Sequence, residues 1–548
     1  MEQRFLTLIE TSIRENWDRD ALTDYKGDSL KYKDVARKIE HLHIIFNAAG
    51  IAKGDKIALC GKNSSNWGVI FLATLTYGAV SVPILSDFKP SNTHNIVNHS
   101  DSKLLFAGAN VWENLDERAM PQLKAVLAIE DFSVLNTRNS GLVTTVANVG
   151  KTFGKKYKNG FMPKHVSYGQ EDPEDLAYIS YTSGTTSFSK GVMIPYRSLT
   201  SNIIFAHDNM KLKAGDGHVC MLPMAHAFGL LFSFLFEFTK GCHTYFLTRT
   251  PSPKIIFQAY QEVKPTLIIT VPLIVEKIIK KSVLPKLDTT SMRLMLKVPF
   301  TRNQVYKSIH KKLYNLFGGN FMELVIGGAA MNEEAEHMLK LINFPYSIGY
   351  GMTECGPLIC YSSWQTFKEQ SCGRPVDRME VKIDSEDPEN IVGEVLVKGD
   401  NTMQGYYKNS TDTLAAFNDD GWMHTGDLAV MDAQKNLTIK GRSKNMLLGA
   451  NGQNIYPEEI EEKLNNLPYV AECIVVQRNN KIVALVHPDY NEALANHLSH
   501  DDLDAIMKEN RAALNEQLPK YSQVADFQIF AEEFEKTPKR SIKRYLYQ

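Results

Sequence analysis

Apolar positions along this chain switch repeatedly between helical and strand spacing. Residues 66–84, NWGVIFLATLTYGAVSVPI, predict a buried helix closed near Gly78, followed at once by a β-branched strand ending at Pro83. Residues 323–328, ELVIGG, predict a short apolar strand broken at two glycines. MNEEAEHMLKLI then starts a helix with Glu333 and Glu334 in its favourable first turn. Alternation of this kind predicts an α/β fold whose sheets are covered by helices, with ligands at the strand ends. The opening MEQRFLTLIETSIREN sets Glu2, Arg4, Glu10 and Arg14 among apolar residues at helical spacing. That pattern predicts an amphipathic helix packed on the protein surface rather than on lipid, and it differs from the uncharged stretch of a signal peptide. The most apolar runs, 229–236 and 267–275, are too short to span a bilayer and read as core or pocket wall.

Beyond about residue 440 the texture changes. YPEEIEEKLNNL predicts a helix starting at Pro457. VAECIVVQR and KIVALVHP predict two strands separated near Asn479 and Asn480, and DDLDAIMKENRAALNEQL predicts a further helix. The expected architecture is therefore a large N-terminal domain, 1–442, of sheets covered by helices, and a small mobile α+β C-terminal domain, 443–548. The joint is expected in GRSKN, residues 441–445, a short polar link between the two textures.

Composition narrows the function classes. The 548 residues carry 61 basic and 62 acidic side chains, a formal net charge of -1. That balance makes no electrostatic case for nucleic acid or an anionic membrane as the main partner, so phosphate recognition has to be local. Peripheral membrane contact stays open, without a transmembrane segment. Seven cysteines without paired metal-type spacing favour reduced thiols in a cytoplasmic protein.

The densest chemistry lies in YTSGTTSFSKGVM, residues 181–193. Backbone N–H groups around Gly184 can turn toward an anion, the Ser and Thr hydroxyls can donate further bonds, and Lys190 adds a point charge. Its Lys is followed by Gly191, so it is not the Walker form. A mobile surface loop has the same composition, and the neighbouring segments decide between the two. YGMTECGP, 350–357, can stack a base on Tyr350, donate from Thr353 and ligate a hard cation through Glu354. GWMHTGDL, 421–428, carries near its end Asp427, whose two acceptor oxygens suit a ribose diol or an Asx turn. Arg442 can donate to the same sugar or be solvated.

Taken in order, these segments resemble the adenylate-forming superfamily of acyl-CoA synthetases, peptide synthetase adenylation domains and luciferases, over nearly the whole chain. YTSGTTSFSKGV is similar to the family's Y-T-S-G-T-T-G-x-P-K-G-V, YGMTE to its Y-G-x-T-E and TGDL to its T-G-D. GRSKN with GQNIYPEEIE is similar to its hinge and following loop, and LPMAHAFG and KGDNTMQGYYKN also fit. Ser187 and Ser189 stand where the family has Gly and Pro. The tail EKTPKRSIKRYLYQ resembles K-T-x-x-G-K-I-x-R, with Ser541 at the catalytic lysine position and Lys539 or Lys543 as possible substitutes.

The resemblance implies two half-reactions using ATP, Mg²⁺ and CoA as co-substrate: a carboxylate forms acyl-AMP, and a thiol then takes the acyl group. It implies that Thr182, Ser183, Gly184, Thr185, Thr186 and Lys190 cradle the β- and γ-phosphates, that Thr353 meets the α-phosphate, and that Glu354 with Thr185 holds Mg²⁺. Tyr350 and Gly351 would take adenine, and Gly328 and Ala329 would line the adenine and acyl pockets. Asp427 and Arg442 would take the ribose. His226 would sit beside the reacting carboxylate or gate the thiol, although a lone His in apolar surroundings is also an ordinary core residue. Lys444 occupies the hinge position. The apolar runs FGLLFSFLFEF and PTLIITVPLIVEKI favour a fatty acid, and the tail and hinge loop look most like bacterial long-chain acyl-CoA synthetases. Aryl or medium-chain CoA ligases and acyl-AMP ligases that load a carrier protein are the alternatives. Ser541 raises a further one, an ATP- or acyl-AMP-binding protein with weakened catalysis.

Overall fold

The computed structural model describes residues 3–182, 190–248, 252–448, 453–479, 481–537 and 542–548. Chain contacts divide them into two compact units, 3–182 with 190–381 and 397–423, and 382–396 with 424–548. The mixed α/β class predicted from the periodicities is the class observed.

The first unit is built on an eight-stranded sheet. Its order is Gly405–Tyr406, Lys190–Pro195, Leu176–Thr182, Val80–Ile84, Lys56–Cys60, Ser102–Ala107, Ala125–Ala128 and Val134–Thr137. The middle strands run parallel and antiparallel pairs close both edges. The predicted helix-to-strand unit is present as Ser65–Thr76 and Val80–Ile84, and the strand continues one residue past Pro83. Ser64 caps the helix by accepting from Trp67 N, and Gly78 turns the chain at φ +82° just after it. Eleven of the twelve helical residues are buried, as a helix that is apolar all round requires. Trp67 and Phe71 stack in parallel, ring centres 5.8 Å apart, so truncating either to Ala would cost about 3–5 kcal/mol.

A second sheet pairs Gly217–Cys220, His243–Phe246, Asp20–Asp24 and Ser29–Lys31. A third, all parallel, pairs Leu267–Thr270, Glu323–Ile326 and Tyr346–Ile348. The N-terminal helix Phe5–Glu15 turns Phe5, Leu6, Ile9 and Ile13 into the core of this unit, with Phe5 against Tyr196 at 5.9 Å. Its apolar face is therefore spent on packing. Leu231–Leu235, Phe236 and Phe238 are also core: Phe238 lies 4.9 Å from Tyr32 and Phe234 5.9 Å from Phe246. No helix among the described residues is long and apolar enough to cross a membrane.

In the second unit, residues 424–431 pair antiparallel with Leu437–Arg442, in a sheet to which residues 382–384 and 393–396 also belong. Further along, Val470–Arg478, Lys481–Pro488 and Asp526–Ile529 form a three-stranded sheet. The helices Pro457–Leu464 and His500–Glu516 pack on it through Ile460, Leu464, Leu503, Met507 and Leu514. The first helix stops at Leu464, short of the NNL that the sequence pattern includes. The seven cysteines are free thiols.

Candidate active site

In the first unit, Leu176–Thr182 and Lys190–Pro195 form an antiparallel pair with Thr182 opposite Lys190. The hydroxyl-rich segment lies between these two positions in sequence. Ser183, Gly184, Thr185 and Thr186, with Ser187 and Ser189, lie outside the described residues. Lys190 Nζ is 2.7 Å from Asp412 Oδ2 and 4.8 Å from the centre of the Tyr406 ring. Cation and ring face attract electrostatically, so two contacts hold the amine in place.

Tyr406 is the residue that sequence reasoning missed. Gly405 and Tyr406 form a two-residue edge strand against Met193 and Val192, which brings the phenol beside the lysine. Its hydroxyl donates to Glu354 Oε1 at 3.1 Å. Burial, and then the Glu354 carboxylate, push the phenol well above its usual range, so it stays a neutral donor. Asp412, Lys190, Tyr406 and Glu354 thus form one polar chain joining the start of strand Lys190–Pro195 to YGMTE. The signal was the tyrosine pair in KGDNTMQGYYKN, though nothing local said which ring mattered. The second ring, Tyr407, donates to Asp101 at 2.9 Å.

The YGMTE segment is held by its own backbone. Tyr350 pairs with Cys360 and Gly351 with Leu358, and Thr353–Cys355 make a single turn ending at Gly356, φ +59°. A Cβ on Gly351 would come 2.1 Å from Pro357 O, so only glycine fits there. Asn202 fastens the turn from behind, donating to Cys355 O at 3.4 Å and accepting from Leu358 N at 3.1 Å. Thr353 is buried, Glu354 half-buried, and Glu354 O accepts from Met403 N at 2.8 Å.

Gly328 and Ala329 follow strand Glu323–Ile326, and Tyr350 follows its parallel neighbour Tyr346–Ile348. They emerge side by side at the carboxyl ends of parallel strands, where open α/β sheets bind ligands. Gly328 has φ +88°, a conformation that favours glycine. The MAHAFG turn abuts this edge: a Cβ on Gly327 would lie 2.8 Å from Phe228 Cζ. His226 caps the short helix Ala227–Leu230, its Nδ1 accepting from Phe228 N at 3.3 Å. Asn63 pins the same loop, donating to Leu222 O at 2.7 Å and accepting from Met224 N at 2.9 Å. Lys190, Glu354, Thr353, Tyr350, Gly351, Gly328, Ala329 and His226 therefore belong to one strand-end region, linked through the YGMTE segment.

The remaining candidates stand in the second unit. Asp427 and Arg442 are register partners, Nε to Oδ1 2.6 Å. Lys444 is exposed in the single turn Ser443–Asn445, and Asn445 Nδ2 donates to Glu458 Oε1 at 2.6 Å. In the tail, Arg544 forms a 2.5 Å pair with Glu461 in which both side chains are largely buried. Lys543 Nζ lies 2.9 Å from Glu535, which raises the amine's pKa. Lys539 and Ser541 lie outside the described residues. Among the described residues no group of three or more His, Cys, Asp or Glu side chains converges on a metal site. Glu354 offers a carboxylate oxygen beside the Tyr406 hydroxyl, while the Asp412 carboxylate is the one paired with Lys190. That fits a cation held mostly by phosphate oxygens and water, in the manner of Mg²⁺.

The chain matches AMP-binding enzyme over residues 9–407 and AMP-binding enzyme C-terminal domain over 459–540. It is 31% identical to long-chain-fatty-acid–CoA ligase 4 of Saccharomyces cerevisiae, covering 79% of this chain and 68% of that protein. It is 27% identical to a long-chain-fatty-acid–CoA ligase of Escherichia coli O6:H1, covering 86% and 83%. In fold it is similar to o-succinylbenzoate CoA synthetase (MenE) from Bacillus subtilis in complex with the acyl-adenylate OSB-AMP. That likeness has a TM-score of 0.74 at 20% identity over 100% and 99% of the two chains. With the match spanning both parts of the chain, this protein belongs to the AMP-binding enzyme family of adenylate-forming acyl-CoA ligases.

Proposed function

We propose that this protein is an AMP-forming fatty acyl-CoA ligase. A carboxylate oxygen attacks the α-phosphate of ATP, the bond to the β-phosphate breaks, and pyrophosphate leaves. The sulfur of CoA then attacks the acyl carbon of acyl-AMP, the bond to AMP breaks, and the thiol proton goes to solvent. The observation that supports this reading is the polar chain from Lys190 through Tyr406 to Glu354, which ties the strand after the hydroxyl-rich segment to YGMTE. The catalytic contribution is positioning and charge neutralisation rather than covalent chemistry. Fatty-acid–CoA ligases among the relatives support the choice of acid.

In this reading Thr182, Ser183, Gly184, Thr185, Thr186 and Lys190 take the β- and γ-phosphates and Thr353 the α-phosphate. Glu354, with Thr185, would hold Mg²⁺, which when bound neutralises phosphate charge. Tyr350 and Gly351 take adenine, Gly328 and Ala329 the boundary between adenine and acyl group, and Asp427 with Arg442 the ribose. His226, fixed at a helix start beside Phe228, orders the approach to the carboxylate. The small domain, 443–548, turns about Lys444 against 1–442 between half-reactions. Ser541 replaces the tail lysine, so Lys539 or Lys543 supplies that charge or adenylation is slow.

The test is a carboxylate panel, from acetate through long-chain fatty acids to benzoates, scored for pyrophosphate release with and without CoA. Release driven by long-chain acids, with acyl-CoA accumulating when CoA is added, is the expected result. Tight ATP binding without release from any acid would point to the weakened binding protein. Release with acyl transfer to a carrier's pantetheine but not to CoA would point to the carrier-loading reading. Preference for benzoates would fit the fold likeness to o-succinylbenzoate CoA synthetase.

A further inference from the structure

The helices Thr290–Lys297 and Pro299–Leu316 of the first unit bury little of their surface. The first buries none of its residues, and the second, eighteen residues long, buries Leu313 alone. A helix of that length in a globular protein ordinarily spends a whole apolar stripe on the core. Here apolar side chains point outward at the elbow between the two: Leu294 is 67% exposed, Val298 51% and Phe300 71%. Leu294 lies in the last turn of the first helix, Val298 is the extended residue between the two, and Phe300 lies in the first turn of the second, so all three belong to the elbow.

The same stretch of sequence is strongly basic. Between Lys277 and Lys312 the chain carries ten lysines and arginines and a single acidic side chain, Asp288. Asp288 is itself paired with Arg293 at 2.6 Å. The net charge of -1 conceals this segment because acids elsewhere balance it. Lys286, before the apolar tip in sequence, and Lys297, within it, are both exposed.

We propose that this elbow is the face by which the protein docks on an anionic lipid bilayer. Leu294, Val298 and Phe300 enter the boundary between headgroups and acyl chains, and the surrounding lysines and arginines meet lipid phosphates. Projecting aliphatic and aromatic tips ringed by flexible cations suit an interface that deforms around them. An acidic protein partner would instead call for a groove or a flat complementary patch. Each cation near an anionic surface is worth about fivefold in partitioning. The N-terminal helix, the other amphipathic candidate, has Phe5, Ile9 and Ile13 fully buried and offers no such face.

The experiment is vesicle flotation of the full chain with phosphatidylcholine alone and with about 30 mol % phosphatidylglycerol. The variants are Leu294→Ser with Phe300→Ser, and Lys286→Glu with Lys297→Glu. Wild type is expected to bind anionic vesicles at least about tenfold more tightly than neutral ones, and less tightly as salt rises. Each double variant is expected to lose about tenfold while keeping the wild-type melting temperature, because the replaced side chains are exposed. Absence of binding to anionic vesicles overturns the proposal, as does flotation of both variants like wild type. Two further results also overturn it: a dimer in sedimentation velocity that the variants dissolve, or variant-sensitive binding to an acidic acyl carrier protein without vesicle binding.

Discussion

Asp427 and Arg442 face each other across neighbouring strands, Oδ1 to Nε 2.6 Å, with the carboxylate buried and the guanidinium half exposed. Removing the cation takes one partner from a buried carboxylate, and the solvent access of the guanidinium side softens the loss. Arg442→Ala is expected to lower stability by about 1–3 kcal/mol in urea titrations, and Arg442→Lys by less. If the pair also takes the ribose, KM for ATP rises about tenfold with kcat less affected. A variant with unchanged stability and unchanged KM would show that the pair is merely solvated.

Lys190 is held between Asp412 and the Tyr406 ring. Lys190→Ala is expected to slow pyrophosphate release by about 100-fold, the scale of losing one preorganised charge at a phosphate. Tyr406→Phe keeps the ring and loses only the bond to Glu354, so about fivefold is expected. Retention of most of the adenylation rate by Lys190→Ala would remove the hairpin from the site.

Lys444 lies in the turn that follows Arg442. Proline there restricts the backbone change that a rotating domain needs. Lys444→Pro is expected to leave acyl-AMP formation largely intact while slowing thioester formation by about tenfold or more. Single-turnover assays of the two half-reactions separate them, and equal loss of both counts against the hinge.

Burial holds the His43 and His207 imidazoles down to about 4. In the unfolded chain they titrate near 6.5, so below that pH the unfolded state binds protons that the native state refuses. Stability is therefore fully present above about pH 6.5 and falls as pH drops toward 4. His207→Gln should flatten that fall in melting curves taken across the window.

Glu237 and His218 lie 3.5 Å apart in the same core, and burial pushes the carboxyl up and the imidazole down, so both are neutral. A neutral acid is well mimicked by an amide. Glu237→Gln is expected to change stability at pH 7 by no more than about 1 kcal/mol, whereas breaking a charged pair would cost about 3–5 kcal/mol. Urea midpoints decide between the two.

Local pattern settled much of the fold. The helix and strand of 65–84, the strand and helix around Gly327 and Gly328, and the small domain's two long strands each follow from side-chain period and turn residues within one element. The amphipathic reading of residues 5–15 also held, because one face of that helix is continuous in sequence. The apolar run 229–236 was ambiguous between core and pocket wall, since periodicity does not say what covers a side chain. The fold sends Phe234 and Phe236 into the core and brings Phe228 to Gly327.

The motifs named the chemistry of the site in order along the chain, but not its connections. Lys190 meets Asp412, and Tyr406 meets Glu354, only because a two-residue strand pairs with Val192 and Met193. So short a strand has no period to read. The basic elbow escaped composition for a related reason: net charge sums over the whole molecule, and only the folded chain shows which cations share a surface with Phe300. Sequence by itself determined the elements, the family and the candidate residues, because these depend on neighbours within a few positions. Tertiary structure alone decided which charges meet and which apolar side chains stay in water, because those depend on contacts between segments far apart in the chain.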